Sequence, residues 1–259
     1  GARCVAMDVA GPALAGLPDD FDYVFHAAAA FGEAAERAWP AMFETNVQAT
    51  GRLLLHCRRA RGFVFCSSGS VYRYQGARPL SESDPLGVHI GSYSLTKIAA
   101  EQLVAFLSRE HGIPTTTIRI FSTYGPEGGA PADRLAALVE SREILLHPDA
   151  PNRFTPIYED DYTALGIRAL EVATKGGLTV NWAGSEVVSA EDYLAFLGSL
   201  VGIEPRIRYS PDAYTPLQAD TTRMHEVLGR CRVPWREGMR RMAEARHPDR
   251  VLADAERAR

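Results

Sequence analysis

Gly91-Ser-Tyr-Ser-Leu-Thr-Lys97 sets a phenol and an ammonium four residues apart, and upstream Phe63-Val-Phe-Cys-Ser-Ser68 is an apolar run that ends in two hydroxyls. On a helix, positions i and i+4 share a face, so Tyr93 and Lys97 project into the same cleft. A tyrosine titrates near pH ~10, and a neighbouring cation favours its phenolate. The spacing therefore predicts a lowered Tyr93 pKa and proton exchange near neutrality. Ser68, at the end of the upstream run, is the candidate hydroxyl that holds a substrate oxygen beside Tyr93. A bare Tyr-x-x-x-Lys is common, and alone it is most often a helix-surface pair. The order of elements around it favours chemistry.

Short β-type runs alternate with helix-length periodic segments, which argues for a parallel sheet flanked by helices. Arg3 to Met7 reads as a strand ending at Asp8, and Tyr23 to His26 as a second running into the Ala27 to Ala30 turn. Ala41 to Arg59 reads as a helix with Met42, Val47, Leu53, Leu54 and Leu55 on its buried side. Phe63 to Cys66 is a third strand. Tyr93 to Glu110 is a long helix stopped by His111-Gly-Ile-Pro114, and Thr115 to Phe121 is the next strand. Beyond Gly125-Pro126, helices are expected at Ala132 to Ser141, Asp160 to Thr174, Ser189 to Val201 and Arg223 to Leu228. Short strands fit at Ile144 to Leu146, Leu178 to Asn181 and Arg206 to Tyr209. Ser189 with the acidic Glu191-Asp192 is a helix start.

The 259 residues suffice for one large domain, or one domain with a smaller lobe. A net charge of -4 gives no electrostatic reason to expect nucleic acid or an anionic membrane as partner. Cys4, Cys57, Cys66 and Cys231 lack zinc spacing, so reduced thiols in a cytoplasmic protein are expected. The histidines form no ligand set, which argues against a metal site. No apolar stretch approaches the ~20 residues of a membrane span.

In an open parallel sheet, ligands bind beyond the carboxyl ends of the strands. Asp8, the Ala27 to Ala30 turn, Ser68 and Phe121-Ser-Thr123 all fall at such ends. The small residues after His26 let a nucleotide approach the backbone, although Ala27 to Ala30 also suits a tight strand-helix junction.

With these residues in place, the chain resembles the extended short-chain dehydrogenase/reductase family, the NAD-dependent epimerases and dehydratases. The resemblance rests on Asp8, Val24-Phe-His-Ala-Ala28, Asn46-Val47, Phe65-Cys-Ser-Ser68 with Val71-Tyr72, and Tyr93 with Lys97. It continues through Arg119-Ile-Phe121, Tyr124-Gly-Pro126, Pro156-Ile-Tyr-Glu-Asp-Asp161, Trp182-Ala-Gly184 and Leu228-Gly229. It implies an α/β fold: a doubly wound, Rossmann-like parallel sheet with a smaller α+β substrate lobe. The dinucleotide-binding domain would cover residues 1–121 and the lobe mainly 122–250, with segments returning to the sheet and a tail over 251–259.

The resemblance further implies Tyr93 as acid/base, Lys97 as ribose ligand, and Ser68 as partner of the substrate oxygen. Asp8 and Val9 would lie near adenine, and Ala27, Ala28 and Ala29 along the pyrophosphate and ribose. Asn46, Phe121 and Thr123 would complete the pocket for NAD or NADP, with NAD favoured. Without the family pattern, Asn46 reads equally well as an exposed helical residue. Ser70, Ser122 and Arg153 are the substrate-side candidates; Ser122 stands where many members carry Asn. Ser68-Gly69-Ser70 lacks the Asp-Glu pair of 4,6-dehydratases, which disfavours that elimination. The implied activity is epimerisation or net oxidoreduction at a hydroxyl or keto carbon, most naturally of a nucleotide sugar.

The family's Gly-rich phosphate loop is not in the sequence, which opens near the family's third strand. The chain thus reads as a piece of a longer protein rather than a natural remnant. A competing expectation is a cofactor-free relative that serves as a binding or scaffold protein. A homodimer is also implied, through a four-helix bundle of the Ala41 to Arg59 and Tyr93 to Glu110 helices, with Leu103, Phe106 and Leu107 as interface candidates.

Overall fold

The computed structural model describes residues 4–11, 14 and 16–252. In chain order its principal elements begin with β1 (Tyr23–His26), α1 (Glu33–Arg37) and α2 (Trp39–Phe43), then a π-helical turn over Glu44–Gln48, and α3 (Ala49–His56). They continue with β2 (Gly62–Ser68), α4 (Gly91–His111), β3 (Pro114–Ile120), β4 (Thr123–Tyr124), α5 (Ala130–Val139) and β5 (Ile144–Leu146). Next come β6 (Arg153–Phe154), β7 (Ile157–Tyr158), α6 (Glu159–Glu171), β8 (Thr174–Lys175), β9 (Leu178–Trp182) and β10 (Val188–Ser189). The chain ends through α7 (Ala190–Val201), β11 (Ile207–Tyr209), α8 (Thr222–Val227) and α9 (Trp235–Arg246). The expected tail falls largely outside the described residues, as does Arg3.

The chain divides into two compact units. The first takes Gly1–Arg73, Pro85–Arg119 and Ile167–Val180. Its sheet runs β1-β2-β3-β8, with β9 also on β3; β1 and β2 are parallel, His26 opposite Phe65. Alternation along β2 explains why helices cover both faces. Phe63 and Phe65 point to one side and pack in one core with Leu53 and Leu54 of α3 and Ala100, Val104 and Leu107 of α4. Gly62 has the opposite parity, and a Cβ there would lie 2.2 Å from the Leu170 carbonyl oxygen at the end of α6. Only glycine allows that approach. At the far end of α4, Gly112 adopts φ 61° and closes the helix, as the His-Gly-Ile-Pro stop predicts.

The second unit takes Tyr74–Asp84, Ile120–Gly166 and Asn181–Arg259. Its core joins Leu135 and Leu138 of α5, Leu194 and Leu197 of α7, and Met239 and Met242 of α9. Short ladders β4/β7, β6/β10 and β5/β11 surround it. Ser189 caps α7 by accepting the Asp192 N–H at 3.0 Å.

Three expectations are corrected. Cys4 to Met7 forms no strand: it pairs with no described strand, and Val5 is exposed. The helix expected over Ala41 to Arg59 starts at Trp39, passes through the π turn and ends at His56, which turns Leu55 outward while Met42, Val47, Leu53 and Leu54 are buried. Leu107 is buried against the sheet rather than presented on the helix surface.

Candidate active site

β2 and α4 bring Ser68, Tyr93 and Lys97 together. Ser68 ends its strand and accepts the Ser70 N–H at 3.1 Å on its Oγ. Ser68 also hydrogen-bonds the Tyr93 side chain. That bond favours the phenolate, but burial acts more strongly and in the opposite sense, so the Tyr93 pKa is raised, the nearby Cys66 thiol adding to the effect. The lowered Tyr93 pKa predicted from the Lys97 spacing is therefore corrected. The Lys97 ammonium lies 5.7 Å from the Tyr93 ring centroid and 5.1 Å from that of Phe65. Its Nζ donates to the Cys66 carbonyl at 2.8 Å, and burial lowers its pKa to about 8.

Asn46 faces inward from the π turn and is 1% exposed, which removes the exposed-helix reading. Its Oδ1 accepts the Ala30 N–H at 2.7 Å, while its Nδ2 donates to the Ala30 carbonyl at 2.9 Å and to Thr96 Oγ1 at 3.0 Å. Thr96 in turn donates to the Tyr93 carbonyl at 2.8 Å. One amide thus ties the Ala27 to Ala30 turn, where β1 ends, to the helix of Tyr93. A helical turn widened to π geometry is a frequent way of aiming such a side chain.

Below the trio runs a buried polar chain that the sequence reading missed. Arg119 donates to both carboxylate oxygens of Glu101, at 3.0 and 2.7 Å, and to Tyr72 Oη at 2.9 Å; Ser67 donates to Glu101 at 2.5 Å. Glu101 lies eight residues after Tyr93 on the same helix face, the one signal that could have found it. The chain fastens α4 to β2 and β3.

Ser70 is buried, and its Oγ has no hydrogen-bond partner among the described residues. Asp8 is exposed, and its Oδ1 accepts the Ala10 N–H at 2.9 Å. Val9 is half-buried beside it. In the second unit, the Phe121 N–H bonds the Trp182 carbonyl at 3.1 Å, the Ser122 carbonyl accepts the Ile157 N–H at 2.9 Å, and Thr123 pairs with Ile157. Arg153 is exposed opposite Ser189. Among the described residues no group of three or more acidic, histidine or cysteine side chains could hold a metal, and no helix is long and apolar enough to cross a membrane.

A family model described as NAD dependent epimerase/dehydratase family matches residues 4–181. Among curated proteins, "Uncharacterized UDP-glucose epimerase YtcB" of Bacillus subtilis (strain 168) is 35% identical over 119 residues, 44% of this chain and 36% of that protein. "Uncharacterized 37.6 kDa protein in cld 5'region" of Escherichia coli O111:H- is 26% identical over 212 residues, 72% of this chain and 63% of that one. The match thus spans less than two thirds of either relative. Among solved structures, MoeE5 in complex with UDP-glucuronic acid and NAD superimposes with a TM-score of 0.75 at 25% identity, covering 88% of this chain and 80% of that one. UDP-glucuronic acid 4-epimerase from Bacillus cereus, in complex with UDP-glucuronic acid and NAD, gives 0.81 at 22% identity over 93% and 80%, a likeness of fold. The doubly wound, Rossmann-like α/β architecture is shared, and the chain belongs to the NAD-dependent epimerase/dehydratase family.

Proposed function

We propose that this protein is an NAD-dependent epimerase or oxidoreductase acting on a hydroxyl or keto carbon of a nucleotide sugar, with Tyr93 as acid/base. The observation that carries the reading is the trio itself: a phenol hydrogen-bonded to Ser68, with a buried ammonium beside its ring. The chemistry of the donors fits a dinucleotide. Lys97 has three N–H donors, and one of them goes to the Cys66 carbonyl; the others would be available to a ribose diol. Ala27, Ala28 and Ala29 leave space along the turn that Asn46 fixes, with Phe121 and Thr123 as further contacts and Asp8 and Val9 on the adenine side. Bound NAD would supply the acceptor and donor of hydride.

The protein's own groups do the rest. Ser68 and the unpartnered Ser70 hydroxyl hold substrate oxygens, with Ser122 and Arg153 as further substrate contacts. Tyr93, once ionised, takes the proton from the reacting hydroxyl as that carbon is oxidised, and returns it when the carbon is reduced; burial holds the phenol in its protonated form, so the base step needs the phenolate that the Ser68 bond favours. Neither Gly69 nor Ser70 offers a carboxylate, so 4,6-dehydration is disfavoured. NAD rather than NADP, and a UDP-sugar as substrate, are supported by the complex of MoeE5. Four free cysteines support a reducing, cytoplasmic setting, and a homodimer is proposed through α3 and α4.

The test is Tyr93→Phe in the full-length protein, assayed with UDP-glucose and UDP-glucuronic acid. Turnover should fall by about 10²–10⁴-fold, the usual worth of a positioned proton carrier, while NAD binding by calorimetry is retained. Turnover within tenfold of wild type would overturn the assignment.

A further inference from the structure

We propose that Glu36 is a positioning residue for Tyr93: its carboxylate, carried on the short α1, holds the first turn of the helix that bears the acid/base. The proposal rests on the reading of Tyr93 given above. Its Oε2 accepts the Ser92 N–H at 2.9 Å and its Oε1 the Tyr93 N–H at 2.8 Å. Nothing nearer in sequence does this. The residue preceding α4, Ile90, supplies no side-chain cap, and the first turn of this 21-residue helix contains no acidic residue. Helix N-termini carry unsatisfied N–H groups and a partial positive charge, both of which a carboxylate satisfies. The amides of Tyr93 and Ser92 accordingly hold the Glu36 pKa below its ordinary value, so the group is anionic at neutral pH.

A second contact from the same segment meets the same residue. Phe31 is 75% exposed, yet its ring lies 6.2 Å from the Tyr93 ring, tilted by 58°. Tyr93 is thus bounded by Phe31, by Ser68 at its oxygen, by Lys97 beside its ring and by Glu36 at its own peptide nitrogen. The charged or titratable groups facing it are Glu36, Lys97 and Cys66. On α1 itself, Glu33 and Arg37 are spent on each other at 3.5 Å.

The test compares Glu36→Gln, Glu36→Ala and, as a control for simple loss of a helix cap, Ser189→Ala on α7. Tyr93 ionisation is read by ultraviolet difference titration against Tyr93→Phe, and turnover by steady-state kinetics. Glu36→Gln removes the charge and keeps an acceptor. Tyr93 should then ionise at a lower pH, because a neighbouring anion opposes the phenolate, and kcat should stay close to wild type. Glu36→Ala removes both bonds, and kcat should fall about tenfold or more at a KM changed little, as expected when a reacting group is misplaced. Ser189→Ala should lose thermal stability without either effect. Wild-type kcat in Glu36→Ala together with an unmoved titration in Glu36→Gln would reduce Glu36 to a structural cap. Should Glu36→Ala fail to fold, the titration of Glu36→Gln decides alone. Absence of nucleotide-sugar turnover in the wild-type protein would instead remove the functional reading, and the titration would still decide the coupling of Glu36 to Tyr93.

Discussion

His26 is kept neutral by its surroundings. It is 3% exposed, its Nε2 pairs with Thr50 Oγ1 at 2.8 Å, and the Phe63 and Phe65 rings stand about 6 Å away. Burial first, then the charge of Lys97, lowers its pKa to about 4 from a model-compound value of 6.5. Between these two pH values the unfolded chain binds the proton and the folded one does not, so stability falls as pH drops from 6.5 towards 4. The loss should be at most about 3 kcal/mol by urea unfolding, and His26→Gln should flatten the slope. An unchanged slope in that variant would assign the acid loss elsewhere. Lys97 behaves correspondingly at higher pH: protonated below about 8, it loses its charge above that value. Nucleotide affinity by calorimetry should weaken as pH rises from 7 to 9.5, and Lys97→Ala should bind weakly with little pH dependence. A wild-type affinity that is flat across this range would mean that the ammonium is not a ribose ligand.

At the scale of elements, legibility followed length and partnership. β1 and β2 were readable as short β-type runs, and α4 and β3 because the His111-Gly-Ile-Pro114 stop divides them, although their buried faces carry Lys97, Glu101 and Arg119. The supposed first strand failed because alternation specifies a face and not a neighbour; a strand needs a ladder. The two-residue strands and the five-residue α1 are too short to show any period, so Glu36 was invisible. α9 was missed for another reason: Met239, Met242 and Ala243 form a narrow stripe in an otherwise charged segment. Ser68, Tyr93 and Lys97 were legible by spacing, whereas the balance of their proton affinities depends on burial, which spacing does not report. The π turn had no sequence signal, yet it places Asn46. Asn46→Ala should lose about 2 kcal/mol or more in urea unfolding, because Ala30 and Thr96 lose their amide partner. Asn46→Asp should fare no better, since the replaced donor would face the Ala30 carbonyl with a second oxygen. A loss below about 0.5 kcal/mol in both would show that the turn is held by something else.

For the whole molecule, the question is what covers the outer side of α4. Leu107 is buried within its own subunit, so the charge variant suggested by the sequence would damage the core rather than report on association. The exposed apolar residues are Leu95 and Phe106, at 48% and 53%, with Leu55 of α3 at 37%. Eleven residues are close to three helical turns, so Leu95 and Phe106 lie on one stripe. Packing that stripe against its two-fold mate would bury the same patch on both subunits. Phe106→Asp should therefore give monomers in sedimentation velocity at tens of micromolar, where the wild type should sediment as a dimer. Its urea midpoint at a concentration that keeps both proteins monomeric should be nearly unchanged, because an exposed site contributes little to the core. Leu107→Asp, by contrast, should destabilise the chain at every concentration, since it places a charge among apolar side chains. A wild-type protein that is monomeric at tens of micromolar would remove the dimer, and a dimeric Phe106→Asp would move the interface to another face. Because Tyr93 and Lys97 lie on the same helix as Phe106, dissociation should also lower kcat, and a monomeric variant of undiminished kcat would show that this helix needs no partner to hold its chemistry.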